Sequence, residues 1–269
     1  MASAAQCACL GERLAAYQFQ LDESCSCAGK KGPSMDTRLI QVVADSVKLD
    51  GLLGVPQPAI GMVVFAHGSG SGRLSPRNAY VASALHTAHI GTLLFDLLTE
   101  NEAANRAKVF DVVLLAERLR AATEWVRHDT QTRGLPIGYF GASTGAAAAL
   151  IAAADDTAIR AVVSRGGRPD LAATALARVR APTLLIVGGE DHVVIGLNEE
   201  AHAQLACEKD LEIVPGATHL FEEPGTLDEV VRLATQWLLS HLTRTLAANA
   251  YTDQHRPAPM SAAGRWLRP

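Results

Sequence analysis

Apolar positions along the chain fall into two periods that alternate. Continuous apolar runs at 61–66, 92–96, 135–140, 159–164 and 182–187 read as strands covered on both faces, as in a mostly parallel sheet. A last strand is expected at 211–214, and 39–43 with 47–55 reads as a hairpin turning through Ala44-Asp45-Ser46. Between the runs, apolar residues recur at helical spacing. Ser75-Pro76 opens a helix to about 87, with serine as cap and proline at the first helical position. Further helices are expected at 109–128, at the alanine-rich 146–154, in a short piece ending near 177, at 197–205 and at 227–246. Strand and helix alternate so regularly that one α/β domain follows, a three-layer sandwich with a mostly parallel central sheet, over 36–246.

Outside that span the pattern fades. Residues 1–35 are expected to be an extension without a fixed fold, broken by the Cys/Gly/Lys/Pro-rich stretch 24–34, and 247–269 carries too few apolar residues to join the core. Four of the five cysteines stand in that extension as two C-x-C pairs, Cys7 with Cys9 and Cys25 with Cys27. A zinc site more usually uses C-x-x-C knuckles within a folded setting, so no metal is expected. Cys207 reads as a small apolar side chain on a helical segment.

Composition narrows the class of partner. The 269 residues carry a formal net charge of -4 with no basic stripe, which argues against nucleic acid. No apolar run is long enough to span a bilayer and no cationic, then apolar, leader opens the chain, so a cytoplasmic protein acting on small molecules is expected.

Candidate chemistry centres on Gly141-Ala-Ser143-Thr-Gly145, placed between a strand and a helix. In that context the two glycines permit a sharp turn that lifts the serine hydroxyl above the sheet edge. A serine needs an imidazole to take its proton, and the imidazole needs a carboxylate to hold its tautomer. Asp191 and His219 each follow a later strand, so Ser143, Asp191 and His219 reach the same edge in the order that a G-x-S-x-G turn requires. The other eight of the nine histidines lie on or beside helices, in the tail, next to the acid or, for His67, in a turn that the ring shapes. Glu190 competes with Asp191 but stands closer to the strand. Glu222 and Glu223 read as surface or helix-approach charges, with a place for one of them at the border of the site as the alternative. For a developing oxyanion the amide of Thr144 is one donor, and the amide of Ser69, in the glycine-rich loop after Ala66, is the second.

That loop has a rival reading. Gly68, Gly70 and Gly72 follow a strand and Asp96 ends the next one, which imitates a dinucleotide-binding unit. Arg73 stands where the third glycine of G-x-G-x-x-G belongs, and the phosphate-loop Gly-Lys-Ser/Thr is missing. No nucleotide or other cofactor is expected.

With Ala-His-Gly-Ser-Gly, Gly-Ala-Ser-Thr-Gly, Gly-Gly-Glu-Asp and Gly-Ala-Thr-His in order, the chain resembles the α/β-hydrolase superfamily from about 36 to 246. Within it, it is similar to the dienelactone-hydrolase-like group, including domains that some chains carry beside a phosphoribosyltransferase domain, although no such domain is read in this sequence. The resemblance implies a catalytic triad of Ser143, Asp191 and His219, with an oxyanion hole at the amides of Ser69 and Thr144. Dienelactone hydrolase itself uses a cysteine nucleophile and a glutamate in the oxyanion loop, where this chain has Ser143 and Gly68. Only about fifteen residues separate the strand ending near Ser164 from the next, too few for a large lid domain. Arg165 and Arg168 follow a strand at the reactive edge, and Arg73 and Arg77 follow the oxyanion loop. Guanidinium groups there suit an anionic ester or lactone, unless they pair with Asp170 and other loop acids. A serine esterase or lactonase is therefore expected, with a non-catalytic ligand-binding relative, or an acyltransferase using the same triad, as the alternatives.

Overall fold

Eight strands form one sheet in the order β1-β2-β4-β3-β5-β6-β7-β8. They are β1 (Ser34–Ala44), β2 (Val47–Gln57), β3 (Gly61–Ala66), β4 (Ile90–Phe95), β5 (Ile137–Ala142), β6 (Ile159–Arg165), β7 (Thr183–Gly188) and β8 (Lys209–Val214). The first two are antiparallel to each other, β2 runs antiparallel to β4, and all remaining pairs are parallel. This computed structural model describes residues 34–243, all of which fall within the unit Pro33–Pro269. The C-x-C pairs at Cys7, Cys9, Cys25 and Cys27, and the tail from 247, lie outside the described residues. Among those described, no helix is long and apolar enough to cross a membrane.

Strand alternation sorts the core into two layers. Val63 and Phe65 of β3 and Phe140 of β5 face α1 (Pro76–Thr87) and the closing helix, whereas Met62, Val64 and Tyr139 face the other side. On that other side lie α4 (Val112–His128) and α5 (Thr144–Ala154), the latter nearly all alanine. Side chains that small let α5 be buried all round, and nine of its eleven residues are buried. The sheet order makes the carboxyl ends of β3, β5, β6, β7 and β8 one continuous edge, on which every expected catalytic residue lies.

The structure departs from the sequence pattern in five places. Residues between β4 and α4 form two short helices, α2 (Glu100–Ala103) and α3 (Arg106–Val109), where only a polar linker is expected. A capping box, with Thr99 Oγ1 accepting from the Glu102 amide and the Glu102 carboxylate accepting from the Thr99 amide, starts the first of them. The helix expected at 197–205 begins earlier, as α6 (His192–Gln204), immediately after Asp191. Its first turns, His-Val-Val-Ile-Gly, are poor helix formers, and tertiary packing of Val194 and Asn198 overrides that preference. Cys207 lies beyond this helix rather than on it, part-buried with its Sγ 3.7 Å from Thr183 Oγ1. The piece ending near 177 is a kinked 3-10 helix, Pro169–Arg178, and the closing helix is α7 (Thr226–Leu242), which ends before 246.

Candidate active site

Ser143 caps α5 with φ 51° and ψ -122°, a conformation in which a residue with a side chain is strained. Its surroundings enforce it. Ser143 N–H donates to Arg165 O (3.3 Å), while Ser143 O accepts from Arg168 N–H (3.0 Å), so the turn is pinned to the end of β6 on both sides. Gly145 lets α5 pass against β3, because a Cβ there would lie 2.1 Å from Ala66 O. The glycine-rich loop approaches just as closely, since a Cβ on Gly68 would lie 2.9 Å from Ser143 Cβ.

Asp191 and His219 meet at the far end of this edge. Asp191 ends the loop after β7 and caps α6, and its Oδ2 accepts from His219 Nδ1–H at 2.6 Å. That bond fixes the neutral ring in the tautomer that leaves Nε2 bare to take a proton. His219 keeps 38% of its side-chain exposure, Asp191 only 16%. Thr218 holds the loop from the other side, its amide and hydroxyl donating to Glu223 at 3.0 and 2.6 Å. Glu223 is thus a brace for the histidine loop. Ser143 Oγ itself has no hydrogen bond to the imidazole among the described residues.

Ser69 and Thr144 both line a cavity of about 580 Å³, and neither amide has an acceptor among the described residues. The loop that presents Ser69 is set by His67, which is 9% exposed. His67 Nδ1–H donates to Gly68 O (2.9 Å) and its Nε2 accepts from Leu97 N–H (2.9 Å). Burial lowers its pKa below the ordinary 6.5, against the opposing pull of the Gly68 carbonyl and Asp96, so the ring is neutral. Apolar walls of the cavity come from Leu49, Leu98, Val109 and Leu115, and α2 and α3 close one side. Sequence reasoning missed this wall; the Thr99–Glu102 spacing was the signal that could have found it.

The arginines divide. Arg73 lines the cavity with its charge met by Asp96, whose carboxylate also accepts from the Arg73 amide at 2.7 Å, and by Asp50 at 3.5 Å. Asp96, the residue that imitates a ribose-binding acid, is therefore a clamp on the loop. Arg168 makes a two-pronged pair with Asp170 at 2.9 and 2.8 Å. Arg165 is buried and meets no carboxylate among the described residues. Those residues also contain no cluster of three or more His, Cys, Asp or Glu that could hold a metal.

A sheet of this order, with a strained serine turn after β5 and an acid and a histidine after β7 and β8, defines an α/β-hydrolase fold. The chain belongs to the dienelactone hydrolase family, whose pattern matches residues 82–248. It is similar to the dienelactone hydrolase structure from Anabaena variabilis, at 52% identity and a TM-score of 0.75, covering 79% of this chain and all of that one. Est1E from Butyrivibrio proteoclasticus shares the fold, with a TM-score of 0.66 at 15% identity over 77% of this chain and 99% of that one. A Mycobacterium tuberculosis protein provisionally named a phosphoribosyl transferase is 58% identical over 211 residues, 78% of this chain and 48% of that protein. The chain thus spans about half the length of the curated relatives it matches first, and the transferase in their name is said of those longer proteins. Family and fold together support hydrolase chemistry.

Proposed function

We propose that this chain is a serine hydrolase that cleaves a small ester or lactone through an acyl-enzyme on Ser143. The observation that carries the reading is the 2.6 Å bond from His219 Nδ1 to Asp191, which prepares the opposite ring nitrogen as a base. Ser143 Oγ attacks the carbonyl carbon while His219 Nε2 takes the hydroxyl proton. Charge gathers on the carbonyl oxygen, where the amides of Ser69 and Thr144 are free to receive it. Collapse breaks the bond to the leaving oxygen, which departs with the proton from His219; water then repeats the steps and releases the acid. The cavity, with apolar walls from Leu49, Leu98, Val109 and Leu115 and charged groups from Lys48, Asp50, Arg73, Asp96 and Glu100, suits an acyl or alcohol group of modest size that carries polar substituents.

The unmade bond between Ser143 and His219 favours a second reading, a ligand-binding relative without turnover. Hydrogen bonds of this kind are often open until substrate arrives, which keeps the first reading ahead. Reaction with a fluorophosphonate probe separates the two. Stoichiometric labelling that disappears in Ser143→Ala is expected of the hydrolase; an unlabelled, folded wild-type chain would leave only the binding protein.

A further inference from the structure

Among the arginines at the reactive edge, Arg165 is the one whose charge is unanswered. It ends β6 with 8% exposure, and its Nε and Nη1 are buried without a hydrogen-bond partner among the described residues. The charged group nearest in effect is another cation: burial, and then the like charge of Arg77, push Arg165 down to about 10, so it remains charged at neutral pH. Arg77 repeats the pattern. Its Nε is buried and unpartnered, and its Nη1 donates at 2.9 Å to Glu222, a carboxylate with 62% side-chain exposure. It also stands in the first turn of α1, which holds no acid and where the helix dipole disfavours a cation. Geometry links the two: a Cβ on Gly166, the residue after Arg165, would lie 3.4 Å from Phe221 Cε2, and Glu222, which follows Phe221, is the partner of Arg77. Two guanidiniums and a positive helix end thus share one neighbourhood with a single solvent-washed carboxylate. A fold seldom keeps a buried charge unpaired, because its desolvation is then uncompensated.

This spot adjoins the triad. Arg165 O accepts from Ser143 N–H, and a Cβ on the next residue, Gly166 (φ 51°), would lie 3.0 Å from His219 O and 3.7 Å from its Cε1. Arg165 alternates with Ala161 and Val163, so it stands on the α1 and α7 face, whereas Leu49, Leu98 and Leu115 of the cavity belong to the opposite layer. The Arg77 side chain is 34% exposed, which leaves the pair open to solvent from that side.

We propose that Arg165 and Arg77 form a subsite for a phosphate group carried by the substrate, beside Ser143 and apart from the cavity. Two fixed positive charges match a phosphate dianion better than a single carboxylate, and its oxygens can meet both planar forks at once. Glu222, exposed and singly bonded, is displaced at small cost. As a substrate subsite this rests on the serine-hydrolase reading; the binding of phosphate does not.

The test uses the full chain and its Ser143→Ala variant, with thermal unfolding in inorganic phosphate and in chloride at equal ionic strength. At about 10 mM phosphate and a Kd of about 1 mM, Tm rises by about 3 °C in both proteins. The rise is lost in Arg165→Gln and in Arg77→Gln, the latter a part-exposed change that spares the fold if the former does not. No rise in the wild type, or an equal rise in the variants, overturns the site. The substrate is then probed with nitrophenyl esters whose acyl chains end in a phosphonate or in a methyl group. The ratio of kcat/KM, charged over neutral, is expected to fall about 10-fold in Arg77→Gln, as for loss of one charge-assisted contact. Binding of phosphate with an unchanged ratio assigns the pair to free phosphate and overturns its role toward substrate. Binding of phosphate by a chain that neither labels nor turns over any ester leaves the site standing and removes the hydrolase.

Discussion

Two histidines close strands of the same sheet edge, His67 after β3 and His219 after β8, and they are held in opposite ways. His67 is buried, with one ring nitrogen donating to Gly68 O and the other accepting from Leu97 N–H. His219 is part-exposed, with one nitrogen on Asp191 and the other without a partner among the described residues. A ring with both nitrogens bonded to backbone can neither take nor give a proton without breaking the structure that holds it. A ring with one nitrogen bonded is oriented and still reactive. The contrast extends to the arginines, where Arg73 and Arg168 are answered by carboxylates and Arg165 is not. Groups whose bonding is complete build the edge; on the proposed reading, groups whose bonding is left incomplete are the ones available to a substrate.

The largest effect should come from the half-bonded histidine. Replacing Asp191 by Asn leaves the shape of the pair nearly intact but offers an amide where His219 Nδ1–H needs an acceptor, so the ring turns to the wrong tautomer. The expected loss in kcat on a nitrophenyl ester is about 10⁴-fold, with the melting temperature little changed. A loss of under about 10-fold, measured on folded protein, would mean that the 2.6 Å bond does not serve the chemistry.

The serine, acid and histidine side of this contrast is legible in the sequence. G-x-S-x-G between an apolar run and an alanine run, followed by an acid and a histidine after later strands, locates the serine turn because the pattern is local and each glycine has a steric reason. β3 appears at the expected residues, 61–66, because a strand buried on both faces has no polar positions to blur its ends. Less regular pieces were hidden for physical reasons. The start of α6 is set by packing against weak helix propensity, and β8 begins at Lys209, where an edge strand with half-exposed residues lacks a continuous apolar run. Arg168 finds Asp170 two residues on, as the sequence allows, but Arg73 with Asp96 and Arg77 with Glu222 depend on residues far away in the chain. No local pattern encodes that.

His67 should govern stability where His219 governs rate. In His67→Leu the Leu97 N–H and the Gly68 C=O lose their partner in a buried place, at an expected cost of about 2–4 kcal/mol in denaturant unfolding. Acid probes the same property without mutation. The folded pKa of His67 lies below the ordinary 6.5, and that of His86, part-buried with a ring nitrogen 2.8 Å from Thr92 Oγ1, is pushed down by desolvation to about 4. The unfolded chain therefore binds these protons first: stability is full above pH 6.5 and falls as the pH drops toward the folded values. For His86 alone the loss between pH 6.5 and about 4 reaches roughly 3 kcal/mol at most, and His67 adds to it with the same sign. Unfolding midpoints that stay flat from pH 7 to about 4.5 would show that these rings are not held neutral.

The smallest effect is the most discriminating, because it concerns a residue that stands close to the serine and yet should do little. Arg168 donates its backbone N–H to Ser143 O, but its guanidinium is turned onto Asp170 in a part-exposed pair, with 39% and 24% of the two side chains accessible. Such a pair contributes no more than about 1 kcal/mol, and the backbone bond survives truncation of the side chain. Arg168→Ala should lower stability by less than about 1 kcal/mol and shift the charged-to-neutral ester ratio by less than about 2-fold. A shift as large as that expected for Arg77→Gln would show that a carboxylate partner does not remove an arginine from substrate recognition. The distinction between complete and incomplete bonding would then fail at the place where proximity to Ser143 tests it hardest.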